Sequence, residues 1–144
     1  MTQVAQVLHS KPNQQLFTVD GQDSVYDAIK LMAEKGIGAL IVMSGADIAG
    51  IVTERDYARK VVLKDRSSKS TKVAEIMSSA VRYVSPQQTT QDCMALMTEH
   101  RIRHLPVLEK GALIGMISIG DLVADIISEQ QFTIEQLEQY ITGR

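Results

Sequence analysis

The chain carries one segment twice: residues 19–57 lie on residues 84–122 at a constant offset of 65 with no gap. Duplication constrains the fold more than any single motif, because whatever one copy forms the other must form as well. Identical pairs include Val19/Val84, Leu31/Leu96, Met32/Met97, Leu40/Leu105, Val42/Val107 and Gly50/Gly115, most of them apolar as a shared core requires. Two pairs are not explained by a core. Thr53/Ser118 keeps a hydroxyl, and Asp56/Asp121 keeps a carboxylate three residues later. The likeness also reaches upstream, where residues 4–8 resemble residues 73–77 at an offset of 69.

With 144 residues the chain has the size of one ordinary domain, and either half alone buries too little surface to be comfortably stable. The halves are therefore expected to pack together. Hydrophobic residues make up 44% of the chain but aromatic ones only 4%, so Ile, Val, Leu and Met must fill the core and stacking platforms for single-stranded nucleic acid are scarce. A net charge of −2 gives no general attraction to nucleic acid or anionic membranes. The longest apolar stretch, residues 37–43, falls far short of the roughly 20 residues of a membrane helix, and the N-terminus lacks a basic-then-apolar signal pattern. The expectation is a cytoplasmic protein that uses neither nucleic acid nor membrane as a partner. Cys93 is the only cysteine and takes the helical position matched by Ala28, which reads as a buried thiol.

In the first repeat Ser24 precedes Val25, Ala28, Ile29 and Met32 at helical spacing, with Asp27 as a capping partner and Gly36 as the stop. Residues 39–43 and 48–52 read as strands joined by a turn, an antiparallel hairpin. A second helix is expected from Glu54 to Leu63 with Tyr57, Ala58, Val61 and Val62 on one side. The second repeat follows the same path, so each unit reads β-α-β-β-α, counting a short strand near Phe17 to Val19 or Tyr83 to Val84. The fold class is thus α/β in the broad sense (α+β). Its expected divisions are residues 1–67, the first repeat with an N-terminal segment; residues 68–128, the second repeat; and residues 129–144, an amphipathic helix carrying Ile134, Leu137 and Ile141. The polar, basic stretch 64–72 reads as a linker, or as a flap offering Arg66 and Lys69 to a phosphate.

The segments 50–56 and 115–121 share the form Gly-x-x-Thr/Ser-x-x-Asp. One reading is structural: a hydroxyl caps a helix and the aspartate reaches back to a backbone amide. Duplication does not remove it, since both halves need a helix start. The second reading comes from the company of the motif, because His100-Arg101-Ile102-Arg103-His104-Leu105-Pro106-Val107 precedes the second hairpin. Together these segments resemble the cystathionine-β-synthase (CBS) domain, and the resemblance covers both repeats in the manner of a stand-alone CBS pair, or Bateman module.

That resemblance implies two β-α-β-β-α units packed as a pseudo-two-fold pair, with two clefts for adenosine compounds such as AMP, ADP, ATP, S-adenosylmethionine or NAD. The residues suit this chemistry: an ionised aspartate accepts two charge-assisted hydrogen bonds from vicinal ribose hydroxyls, and a helix N-terminus favours phosphate. Carried over position by position, one cleft takes Thr53 and Asp56, Ile51 under the base, backbone at Val81 and Arg82, and Arg103 with His104 toward phosphate. The other takes Ser118 and Asp121, Met116, backbone at Leu16 and Phe17, and Arg103 or Arg55.

Gly38 and Ala39 stand where the second repeat has Arg103 and His104, so phosphate recognition is expected to be lopsided. For His104 a strand-edge structural role stays open, and for Arg55 a solvated helix charge. His100 and His104 have helical metal spacing but fall toward a strand with no third ligand, so no metal is expected. No catalytic set accompanies the aspartates, which points away from an enzyme. The reading is a regulatory adenine-nucleotide-sensing module, a homodimer by resemblance, that signals occupancy to a regulated protein not identified by the sequence. The alternative is a ligand-free interaction scaffold.

Overall fold

The structure, a computed structural model, describes residues 2–11 and 16–142. In chain order its elements are α1 (Val4–Ser10), β1 (Thr18–Asp20), α2 (Val25–Lys35), β2 (Ala39–Ser44), β3 (Asp47–Thr53), α3 (Glu54–Tyr57), α4 (Thr90–His100), β4 (His104–Glu109), β5 (Ala112–Ser118) and α5 (Ile119–Thr142). They form two compact units. One spans residues 16–81; the other joins the N-terminal segment to residues 82 onward.

In the unit of residues 16–81, β1 pairs in parallel with β2, and β2 pairs antiparallel with β3. Ser24 accepts the Asp27 amide at 3.1 Å to start α2, and Gly36 ends it in the left-handed conformation that glycine adopts without steric penalty. Val25, Ala28 and Met32 of α2 are buried with Leu40, Val42 and Val52 in one core. Each such side chain, once buried, contributes roughly 1.5–3 kcal/mol, which outweighs the modest propensity of any single residue.

The helix expected from Glu54 to Leu63 changes pitch on the way. After α3, residues Ala58–Val62 form a π-turn, closed by the Leu63 amide donating to the Ala58 carbonyl at 3.0 Å. The wider turn rotates later side chains off the expected stripe. Val61 is buried, Tyr57 is half-buried, and Ala58 and Val62 are exposed.

The other unit repeats the plan with differences. β4 and β5 form the antiparallel hairpin, irregular between Val107 and Leu108 where β2 is irregular between Val42 and Met43. The short strand expected near Tyr83 and Val84 is a single parallel bridge, Val84 to Val107. Arg101 takes the left-handed position that Gly36 takes in the first repeat. Cys93 is fully buried, and that burial pushes its thiol pKa up to about 11, with the Asp92 carboxylate adding to the rise.

The upstream segments pack crosswise to their order in the chain. Val4 and Val7 of α1 lie in the core of the second hairpin's unit, whereas their counterparts Val73 and Ile76 lie in the core of the first hairpin's unit. The duplicated glycines follow from this. A Cβ on Gly50 would stand 2.6 Å from the Ser78 carbonyl oxygen and 2.9 Å from the Met77 sulfur, and one on Gly115 would stand 2.8 Å from a Leu8 methyl. Leu8 and Met77 are equivalent residues of the two upstream segments, so each hairpin needs glycine where its segment crosses closest.

The compact units therefore differ from the divisions 1–67, 68–128 and 129–144: the N-terminal segment joins the second hairpin, and residues 68–81 join the first. Residue 129 is no boundary either, because α5 runs unbroken from Ile119 to Thr142. Leu122 anchors α5 in the core, while residues 127–142 are exposed, with Ile134, Leu137 and Ile141 between 53% and 79% accessible. Residues 143 and 144 of the expected last segment lie outside the described residues. The stretch 64–72 is tied to its own unit: Arg66 pairs with Glu75 at 2.6 Å, Lys69 stands over the Tyr26 ring at 5.1 Å, and Thr71 is buried. Among the described residues, no helix is long and apolar enough to cross a membrane.

Candidate functional site

Each hairpin ends in the duplicated hydroxyl and carboxylate, and both pairs form reciprocal caps. Asp56 Oδ2 accepts the Thr53 amide at 2.9 Å and the Thr53 hydroxyl at 3.1 Å, while Thr53 Oγ1 accepts the Asp56 amide at 3.1 Å. Asp121 Oδ2 accepts the Ser118 amide at 2.8 Å, and Ser118 Oγ accepts the Asp121 amide at 3.1 Å. The structural reading of the motif is thus present in both copies. Thr89 and Asp92 form the same box at the start of α4, so capping alone does not set Asp56 and Asp121 apart.

A lysine sets them apart. Lys60 Nζ lies 3.3 Å from Asp56 Oδ1 and donates to the Ile76 carbonyl at 2.9 Å. Lys11 Nζ lies 3.0 Å from Asp121 Oδ2 and donates to the Met116 carbonyl at 2.7 Å. Both carboxylates are largely buried, at 17% and 18% exposed, and an ionised carboxylate in such a place needs a charge partner. Sequence reasoning missed both lysines. Lys60 carried a signal, the i,i+4 spacing from Asp56 on a helix; Lys11 had none, since its proximity to Asp121 depends on where α1 packs.

The second hairpin brings Arg103, His104, Met116, Ser118 and Asp121 to one end. His104 pairs in register with Ser118, and Met116 with Pro106, while the Ile119 amide donates to the Arg103 carbonyl at 2.9 Å. His104 is half-buried, and burial holds its pKa below the usual histidine value; Asp121 pulls it up, and Lys11 and Arg103 push it down further. Arg103 is exposed.

The first hairpin places Ile51, Thr53, Arg55 and Asp56 at its end but has no counterpart of Arg103 and His104. Ala39 pairs with Thr53, and Gly38 accepts the Glu54 amide at 3.1 Å, with Glu54 Oε1 only 2.9 Å from where a Gly38 Cβ would stand. Ile51 exchanges both backbone hydrogen bonds with Ser78. Arg55 is exposed. Leu16, Phe17 and Val81 are half-buried residues of this same unit, with the Lys35 ammonium 5.1 Å above the Phe17 ring, whereas Arg82 is an exposed residue of the other. The residues that the sequence assigns to each cleft are divided between the two units.

The family model for the CBS domain matches residues 4–63 and 73–128. The chain belongs to the CBS-domain family. It is similar to a CBS-domain protein of Burkholderia ambifaria MC40-6 whose solved structure is 69% identical, covers 92% of this chain and 99% of that chain, and superposes with a TM-score of 0.87. The mitochondrial CBS domain-containing protein CBSX3 of Arabidopsis thaliana is 44% identical over 84% of this chain, which spans 61% of that relative's length. CBS domain-containing protein YhcV of Bacillus subtilis is 30% identical over 81% of this chain and 82% of its own. Both matched CBS segments begin with the upstream residues, 4 and 73, that the structure packs on the opposite hairpin.

Proposed function

We propose that this CBS pair is a regulatory, non-catalytic module that binds an adenine nucleotide, AMP, ADP, ATP or NAD(H), and passes on its occupancy. The observation that carries the reading is the duplicated carboxylate, fixed by a backbone amide and held beside an ammonium at both hairpin ends. A ribose diol donates to such a carboxylate with charge-assisted hydrogen bonds, and the cation stands ready for the anionic end of the ligand.

One cleft is assigned Ile51, Thr53, Asp56, Val81, Arg82, Arg103 and His104. The other is assigned Leu16, Phe17, Met116, Ser118, Asp121 and Arg55 or Arg103. Because Arg103 and His104 have no counterparts in the first repeat, the two clefts hold phosphate unequally: one is the stronger site, or the two prefer different ligands. A partner or a second copy of the chain receives the signal, since a ligand shifts only equilibria whose states bind it unequally. The exposed apolar positions of α5 offer the contact. The Burkholderia relative is described in signal-transduction terms, and a cyanobacterial CBS-CP12 neighbour, 32% identical, is hexameric.

The alternative, a ligand-free scaffold, is favoured by that same exposed face of α5. Thermal melting with AMP, ADP, ATP, NAD, NADH and S-adenosylmethionine separates the two. A ligand at 100 times its dissociation constant adds about 2.7 kcal/mol to the folded state. An unchanged melting temperature with all six favours the scaffold.

A further inference from the structure

The two lysines reach equivalent aspartates from places that are not equivalent. Lys60 sits on the π-turn, and its counterpart 65 residues on is Asp125; Lys11 sits after α1, and its counterpart 69 residues on is Ala80. Each aspartate thus has an ammonium beside it, supplied by a different part of the chain. At the second hairpin an acid replaces the helix lysine, and Asp125 Oδ2 is buried with no hydrogen-bond partner among the described residues. Lys11 is then the lysine paired with Asp121.

The two contacts also differ in kind. Lys60 approaches Asp56 Oδ1, apart from the capping oxygen, and its side chain is 47% exposed, so release to water is cheap. Lys11 approaches Asp121 Oδ2, the oxygen that also caps, and its side chain is only 24% exposed. A diol that takes both oxygens of Asp121 competes with this contact and leaves an ammonium that is less exposed to water than that of Lys60. The Met116 carbonyl keeps the Lys11 head tethered, and its four-carbon stem can swing it toward a neighbouring anion.

We infer that Lys11 sets ligand specificity at Asp121: it resists a neutral nucleoside, which offers the displaced ammonium nothing, and favours a nucleotide, whose phosphate takes the ammonium over. The inference rests on the ribose assignment proposed above.

Calorimetry with adenosine and AMP, on the full chain carrying Asp56→Ala to silence the first carboxylate, tests it. Adding Lys11→Met should make adenosine bind tighter, by about fivefold for a contact of this exposure, while AMP binds more weakly. Lys11→Arg, which keeps the charge, should retain the preference for AMP. Losses of equal size for both ligands in Lys11→Met, or no change in either, would overturn the inference. If the Asp56→Ala protein binds neither ligand even with Lys11 in place, the ribose assignment at Asp121 fails first.

Discussion

The two hairpin ends are built on one plan and charged differently. The strand irregularity falls at equivalent positions, each upstream segment meets its glycine, and the caps agree to within 0.1 Å in their amide bonds, 2.9 and 3.1 Å at Thr53/Asp56 against 2.8 and 3.1 Å at Ser118/Asp121. Around them one end carries Lys11, Arg103 and His104, and the other carries Glu54, Arg55 and Lys60. The lesson is that the packing of each hairpin repeats while the charge around it does not. Apolar contacts are shared by both copies, whereas a cation at a strand edge can be lost from one copy at little cost to the fold.

The largest expected effect tests the common scaffold. Gly50→Ala drives a Cβ against the Ser78 backbone oxygen, which cannot rotate away, and should cost about 2–3 kcal/mol in urea unfolding. Gly115→Ala meets only the end of the Leu8 side chain and should cost about 1 kcal/mol. Equal costs would mean that the upstream segments do not pack as described.

The next sharpens the difference between the ends. The His104 pKa is depressed in the folded protein, so the unfolded chain takes up the proton first, near the ordinary value of about 6.5. Its contribution to stability is complete above that value and is lost as pH falls through the folded-state pKa. His104→Gln should flatten this slope in pH-dependent unfolding. A bound phosphate favours the charged form, so AMP affinity should rise as pH is lowered from about 7.5 to about 6, and adenosine affinity should not. Parallel behaviour of the two ligands would take His104 away from the phosphate.

The smallest effect concerns the helix ends. Arg101 has φ 54° where Gly36 has 65°, and a side chain in that conformation is strained. Arg101→Gly should stabilise the protein by about 1 kcal/mol in thermal melting, and no gain would mean that the Arg101 side chain offsets its own strain.

Much of this was legible in the sequence because it is local or duplicated. Ser24 and Gly36 bracket α2, the hairpins follow from short apolar runs beside turns, and the buried Cys93 follows from its place opposite Ala28. The reciprocal caps were also foreseen, as one of two readings of the motif. What escaped depends on partners distant in the chain. The likeness of residues 4–8 to 73–77 reveals a repeated segment but not the hairpin it joins. The π-turn at Ala58–Val62 leaves no mark on an apolar pattern read at helical spacing. The continuity of α5 past residue 128 follows from the absence of a breaker, which an apolar stripe beginning at Ile134 conceals. Lys11 became visible only once α1 was placed beside β5.

The central claim, that Asp56 and Asp121 hold a ribose diol, is tested most directly by calorimetry comparing AMP with its 2′-deoxy analogue on the unaltered protein. Loss of one charge-assisted hydrogen bond, worth about 1.5–3 kcal/mol, should weaken the analogue by at least about tenfold. Equal affinities for the two would leave the duplicated aspartates as helix caps and contradict the claim.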